Sequence, residues 1–391
     1  MPWKESSHVH ERMLFVARVD AGERMTDLCR EFGISRKTGY KIYARYKEKS
    51  VVGLYDEKRV PERIPHRTAP DVAEQIVALR KKYPSWGPRK LRKWLVDNSS
   101  RGTWPATSTI GEILARHGLV KPRRRRQTTP TPLTELRMPR HANDLWCIDF
   151  KGQFRLGNGR YCYPLTVTDA YSRFLLVCEG MDCIDGELVW TELARAFERY
   201  GLPSAIRSDN GSPFASRGVC GLSRLSARWI AAGVEHERIE PGKPQQNGRH
   251  ERMHRTLKAE TTRPAASSML SQQERFDAFR EIYNEQRPHE ALDLSPPARH
   301  YQPSPRRYSA VTPLSYPMHD DVRVVHASGH LRFGGRRGAS IYISSALAGR
   351  RVGLREVAAD RWLVSYASLD LGICDLQTKR LLSLDATAVT A

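Results

Sequence analysis

The sequence predicts a multidomain chain: an all-α N-terminal third of helix-turn-helix units, a central α/β core and a small C-terminal β-barrel. Three observations predict it. The 391 residues exceed one compact unit, since domains run to ~100–150 residues. Helical spacing gives way near residue 121 to apolar strand-like runs that begin at 143. After 320, Val322, Val324, Ile341, Ile343, Trp362, Val364 and Tyr366 alternate with polar residues. Gly334, Gly335, Gly338, Gly349 and Gly353 punctuate them, which reads as a small barrel over 320–385.

Charge narrows the partners. The chain has 64 Lys/Arg against 43 Asp/Glu, a net +21. Residues 1–126 hold 29 basic and 14 acidic residues, a net +15, so most of the excess sits in the first third. Such a balance points to a polyanion. No apolar run approaches the ~20 residues that span a bilayer. The opening Met1-Pro2-Trp3-Lys4-Glu5 lacks the apolar stretch of a signal peptide. The expectation is a cytoplasmic, nucleoid-associated chain that binds nucleic acid and no membrane. None of the seven cysteines forms a CxxC pair, which favours reduced, packed thiols over a zinc site.

The first predicted unit, 1–60, holds three helices. Met13, Leu14, Val16 and Ala17 have helical spacing, a second segment covers 25–32, and Gly33-Ile34-Ser35 turns into a third helix at 36–48, with Ser35 as cap. Arg36, Lys37, Lys41 and Arg45 crowd that third helix, as in a helix-turn-helix that contacts DNA. A plain three-helix bundle with a solvated basic face is the alternative. A second winged-helix-like unit spans 68–122. Its helices fall at 71–82, 88–96 and 108–117, with Pro88 in a first turn, Thr107 or Ser108 as a cap and Gly118 as a stop. Arg89 and Lys90 are its DNA-contact candidates. A basic linker, 123–139, follows. Arg123, Arg124, Arg125 and Arg126 in it can track phosphates, or simply be solvated.

In the core, 140–301, the run Leu145 to Phe150 reads as a buried strand. Asn158-Gly159 signals a hairpin, and strands follow at 161–167 and 174–177. A helix at 186–200, a strand at 205–207, a helix near 222–232 and a strand at 234–236 continue it. Helices then fall at 247–260 and 271–284, and a Pro-rich connector covers 286–318. Asp149 sits inside an apolar strand, where a bare carboxylate is costly. Asp209 ends a strand before Asn210-Gly211. Glu251 shares a helical face with Arg255 and Lys258. Three carboxylates aimed at one point from rigid elements would suit hard cations and phosphodiester chemistry. Each residue alone also fits a bland role, as a turn residue, a helix cap or a surface pair.

The flanking words carry more. They are Leu145-Trp146-Cys147-Ile148-Asp149-Phe150, Asp169-Ala170-Tyr171-Ser172-Arg173, Ile206-Arg207-Ser208-Asp209-Asn210-Gly211, Gly242-Lys243-Pro244-Gln245-Gln246-Asn247-Gly248-Arg249-His250-Glu251-Arg252 and Tyr283-Asn284-Glu285-Gln286-Arg287-Pro288-His289-Glu290-Ala291-Leu292. Over 140–301 the chain resembles the catalytic core of retroviral integrases and insertion-sequence transposases. With its paired helical units it is most similar to the IS481 and IS3 groups. The resemblance implies a ribonuclease-H-like fold. It implies an Asp-Asp-Glu triad at Asp149, Asp209 and Glu251 that holds Mg²⁺, two ions, with Mn²⁺ as a substitute. It implies Asn210 and Gly211 beside the second Asp. Gln246 and Asn247 would lie on a loop facing DNA, with Lys258 and Arg255 contacting it. The implied partners are double-stranded DNA, as terminal inverted repeats and target, and further copies of the chain in a homo-oligomer.

The sequence departs from the family pattern in two ways. The 41 residues between Asp209 and Glu251 exceed the family's roughly thirty-five, and a surface insertion at 216–227 would take up the excess. The zinc-binding domain of retroviral integrases is absent. The implied activity is a DNA transposase that cleaves 3′ ends and transfers them into target DNA. Its rivals are a DNA-binding regulator with an inactive core and a nuclease acting on RNA or hybrid.

Overall fold

The computed structural model describes residues 8–56, 68–120, 136–309, 314–334 and 338–384. The basic run Arg123 to Arg126 lies outside them. The chain divides into two units, residues 1–68 and 69–391.

In the first unit, α1 (His8–Asp20), α2 (Met25–Glu31) and α3 (Arg36–Lys49) enclose Phe15, Val16, Leu28, Cys29 and Leu54. Ser35 caps α3 by accepting from the Thr38 N–H at 3.1 Å, as its position predicts. Gly39 lets α3 lie close on α2: a Cβ there would meet the Cys29 sulfur at 2.5 Å.

The second unit opens with α4 (Pro70–Lys82), α5 (Pro88–Asn98) and α6 (Thr107–Arg116). They enclose a core of their own around Ile76, Trp86, Leu91 and Ile110. Gly118, with φ +68°, ends α6 and lets the Leu119 N–H reach the Leu114 carbonyl at 2.8 Å. The expected cap is not formed. α6 begins at Thr107 itself, so the cap position falls to Ala106, which has no side-chain acceptor.

The α/β core follows. Its strands are β1 (Leu145–Phe150), β2 (Phe154–Arg155), β3 (Tyr161–Asp169), β4 (Leu175–Met181), β5 (Ala205–Ser208) and β6 (Glu235–Arg238). The sheet runs β2-β3-β1-β5-β6, with β4 also paired to β3. β1, β3 and β4 are antiparallel, whereas β1, β5 and β6 are parallel. Helices α7 (Gly186–Tyr200) and α8 (Arg224–Ala231) cover one face through Val189, Leu193, Phe197 and Trp229 against Trp146 and Ile148. On the other face α9 (Gly248–Thr261) and α10 (Met269–Glu281) bury Met253, Leu257, Phe276 and Phe279 against Leu175 and Cys178. The result is three layers, helix–sheet–helix.

The expected surface insertion at 216–227 is only half one. Residues 216–220 are an exposed loop or nearly so, but Leu222, Leu225 and Ala227 belong to the core, because α8 starts at Arg224. The connector is a strap rather than a spacer. The Leu202 N–H donates to the Arg306 carbonyl and the Ser304 N–H to the Tyr200 carbonyl, both at 2.7 Å.

Among the described residues the C-terminal strands do not close into the expected barrel. Strands β7 (Asp321–Val324), β8 (His330–Phe333), β9 (Ala339–Tyr342), β10 (Arg351–Ala358), β11 (Arg361–Tyr366), β12 (Leu369–Asp375) and β13 (Arg380–Leu382) make an open sheet, β13-β12-β11-β10-β7, and a separate hairpin, β8-β9. The alternation of apolar residues is real, but the apolar face has another cover. Val352, Leu354, Val364 and Tyr366 join the same hydrophobic cluster as α8, and the Tyr366 hydroxyl donates to the Ala227 carbonyl at 2.8 Å. A sheet covered by a neighbouring domain has no need to close on itself. All seven cysteines are free thiols, five of them buried. Among the described residues no helix is long and apolar enough to cross a membrane.

Candidate active site

The side-chain alternation of β1 sends Trp146, Ile148 and Phe150 toward α7 and α8, so Cys147 and Asp149 face α9. Parallel register then selects the partner. Cys147 lies opposite Arg207 in β5; Asp209 directly follows the last residue of that strand, and its charge acts on Asp149. Both carboxylates sit at the carboxyl ends of adjacent parallel strands, where open α/β sheets form their ligand sites. Arg207, 9% exposed, fixes this end of β5. It bonds the Glu237 carboxylate and donates to the Arg137 carbonyl at 2.8 Å.

Local geometry holds Asp209. The Gly211 N–H donates to its Oδ1 at 3.1 Å, and Asn210 ties the turn to the Ile239 carbonyl at 2.6 Å. A Cβ on Gly211 would stand 3.1 Å from Asp209 Oδ2, so glycine leaves the carboxylate its space.

Glu251 projects from the first turn of α9 and is exposed. Burial, then the charge of Asp209, pushes the Asp149 carboxyl up to about 7, with a smaller push from Glu251. The three anions thus share one field. Among the described residues, however, no three His, Cys, Asp or Glu side chains stand close enough together to hold a metal ion. Asp149 and Asp209 are brought together; Glu251 stays within electrostatic reach without completing a ligand set. The donors are oxygens, the type Mg²⁺ takes.

The buried face of α9 carries a polar cluster that sequence reading missed. Thr166 in β3 lies opposite Asp149. Its hydroxyl donates to the Asp149 carbonyl at 3.1 Å, so the His250 and His254 rings meet that oxygen as Nε2–H donors, at 2.8 and 2.7 Å. Thr168 donates to His250 Nδ1 at 2.7 Å. Burial pushes His250 down to about 3 and His254 to about 2, so both are neutral. His254 Nδ1 stands 3.7 Å from Asp149 Oδ2. The spacing, two His four apart on a helix and two Thr two apart on a strand, is present in the sequence, but it does not by itself mark the rings as buried.

The DNA-contact candidates divide. Arg36, Lys37 and Lys41 are exposed on α3, while Arg45 turns inward and donates to the Tyr55 carbonyl at 3.0 Å. Arg89, Arg255 and Lys258 are exposed and Lys90 is half-buried. Gln246 and Asn247 do not face outward. Gln246 exchanges hydrogen bonds with Glu240 at 2.7 and 2.8 Å, and Asn247 is buried at the start of α9. The tight turn into α9 folds them back on the chain.

Family models described as Integrase core domain match residues 139–244 and 232–297. One described as Helix-turn-helix domain matches 11–62, and one described as Homeodomain-like domain matches 38–114. The chain is 32% identical over 236 residues to the insertion element IS407 uncharacterized 31.7 kDa protein of Burkholderia multivorans, covering 58% of this chain and 79% of that one. It is 33% identical over 158 residues to the insertion element IS476 uncharacterized 39.2 kDa protein of Xanthomonas euvesicatoria, covering 40% and 44%. Among solved structures, the simian T-cell lymphotropic virus intasome aligns at 15% identity, over 75% of this chain and 97% of that chain, with a TM-score of 0.38. That score is too low to carry an argument about mechanism.

Proposed function

We propose that this chain, which belongs to the insertion-sequence transposases built on an integrase core, binds the terminal inverted repeats of its element, cleaves their 3′ ends and joins them to target double-stranded DNA. The observation that supports the reading most is the push of the Asp209 charge on the buried Asp149 carboxyl, across the adjacent parallel strands β1 and β5. The electrostatic influence of Glu251 on Asp149 supports it as the third acid. Asp149, Asp209 and Glu251 would hold Mg²⁺, as two ions, with Mn²⁺ able to replace it. The metal would supply charge neutralisation at the attacking and leaving oxygens. Glu251 would complete the donor set on metal binding, from the first turn of α9, whose buried face is held by the Thr166 and Thr168 hydroxyls.

Around that centre the chain's residues bind and orient DNA. Arg36, Lys37 and Lys41 give the first unit its grip, Arg89 and Lys90 the second, Arg255 and Lys258 the catalytic helix, and Arg123 to Arg126 the linker. The divisions 1–60, 68–122, 123–139, 140–301 and 320–385 carry these tasks in a homo-oligomer, since two ends meet one target. The IS481 group and a cytoplasmic, nucleoid-associated location complete the reading.

The test is strand transfer on short duplexes carrying the terminal repeats, with Mg²⁺, for wild type, Asp149→Asn, Asp209→Asn and Glu251→Gln. Joining by wild type alone, with DNA binding intact in all four, is the expected result. Binding without joining by wild type would leave a DNA-binding regulator.

A further inference from the structure

The second helical unit and α9 face each other across a cleft of about 760 Å³. Its walls are fixed to one another. The Tyr83 hydroxyl donates to Gln286 Oε1 at 2.7 Å, and Arg287 bonds both the Ser85 hydroxyl, at 3.0 Å, and the Glu260 carboxylate, at 2.8 Å. Arg89, Lys90, Arg173, Arg249, Arg252 and Arg287 line the space, and Glu290 is the single carboxylate among the lining side chains.

This crowding of like charge is not neutralised from within. Of these cations, Arg287 has an acidic partner, and Arg173 and Arg249 donate to the Ala170 carbonyl. Burial, then the charge of Arg287, lowers the Lys90 ammonium to about 8. Burial, then Arg249, lowers Arg173 as well. Burial together with Lys90, Arg287 and Arg173 keeps His289 neutral, and among the described residues its Nε2 is buried without a partner. The N-terminus of α5, with no side-chain cap, adds its positive end at Gly87 and Pro88. A concave wall of cations on fixed elements is an anion site.

Its position says which anion. Arg255 lines the cleft and also shares the helical face of Glu251, so the cationic wall runs on toward the candidate active site. We propose that this cleft is a clamp for the DNA backbone: it takes phosphodiester groups of the strand leading to Glu251, so that the second helical unit and the catalytic helix grip one stretch of DNA. This rests on the transposase reading for the identity of the polyanion. It adds Arg173, Arg249 and Arg252 to the DNA-binding surface, while Arg287 holds the walls together.

The test uses the full chain and a Lys90→Gln, Arg252→Gln double variant. Binding to a terminal-repeat duplex and to a random duplex of equal length is titrated over a range of salt. The variant should lose about tenfold in affinity for both duplexes, and the slope of log K against log salt should fall by about two. Its melting temperature should hold or rise, since like charges are removed. If it melts early, Arg252→Gln alone, at an exposed position, should lower the slope by about one. Unchanged slope and affinity would overturn the clamp. So would inorganic phosphate stabilising wild type and not the variant while DNA binding stays equal, which would mark a free-phosphate site. Failure of wild type to join DNA would sink the transposase reading, while the salt slope would still decide the cleft.

Discussion

Replacing Asp149 with Asn should stabilise the protein stripped of divalent cations near pH 8 and leave its stability unchanged near pH 4. Burial, Asp209 and Glu251 together raise this carboxyl to about 7, against ~3.9 in an unfolded chain. A raised folded value means that the native state holds the proton more tightly. The stability this group contributes is therefore complete below about pH 4 and is lost as pH rises through about 7. At about 1.4 kcal/mol per tenfold in proton affinity, the full effect is ~4 kcal/mol. The side chain keeps 24% of its surface exposed, and water screening reduces the expectation to ~2 kcal/mol. For a large unit that is a melting shift of ~4 °C. Scanning calorimetry in a chelator, near pH 4, 6 and 8, measures it. Added Mg²⁺ should then raise the melting point of wild type near pH 8 and do little for the variant. A variant that melts at or below wild type near pH 8 in the chelator would refute the argument that Asp149 is held against its neighbours' charge.

Three further outcomes follow from the same packing. Thr166→Val deprives the buried His250 and His254 of their shared partner; it should cost ~2–3 kcal/mol in urea denaturation and depress strand transfer, with Thr166→Ser restoring both. Gly211→Ala puts a methyl 3.1 Å from Asp209 Oδ2, so joining should fall at least ~10-fold while stability changes by less than ~1 kcal/mol. Arg287→Met removes the ion pair to the partly exposed Glu260 carboxylate and the bond to Ser85, and should lower the stability of the 69–391 unit by ~1 kcal/mol, read by chemical denaturation.

The core was legible because its signals are local. The apolar run from Leu145 to Phe150 is β1 to the residue, and Gly201, with φ +77°, ends α7 where its helical pattern stops. Asp149 and Asp209 stood out through their flanking words, and the fold sets them on or next to adjacent parallel strands, where the charge of one acts on the other. The barrel was not legible. Alternation in a strand reports that one face is buried, never against what. Here the cover is α8, more than a hundred residues earlier in the chain. The same limit hid the inward turns of Arg45 and Gln246, whose partners Tyr55 and Glu240 are chosen by chain path and not by residue type.

The histidines show why a site reads less easily than a fold. Taken singly, His250 and His254 are polar residues in a helix whose neighbours Arg249, Arg252 and Arg255 are strongly basic, and nothing in that composition marks them as buried. Burial becomes legible only when α9 is laid on β3, because the i, i+4 spacing of the rings then meets the two-residue spacing of Thr166 and Thr168. Each neutral ring needs the right hydroxyl, and the Thr166 hydroxyl has one proton to give, to the Asp149 carbonyl. The cluster therefore fixes α9 at one rotation and one height against β1. It does so at the Asp149 level and at the Cys147 level two residues earlier in β1, where an apolar contact would tolerate sliding. An exposed Glu251 on a helix free to slide could not serve a reaction that needs its carboxylate placed to a fraction of an ångström. The polar contacts beneath α9 are thus the part of the site that gives the exposed carboxylate a defined address.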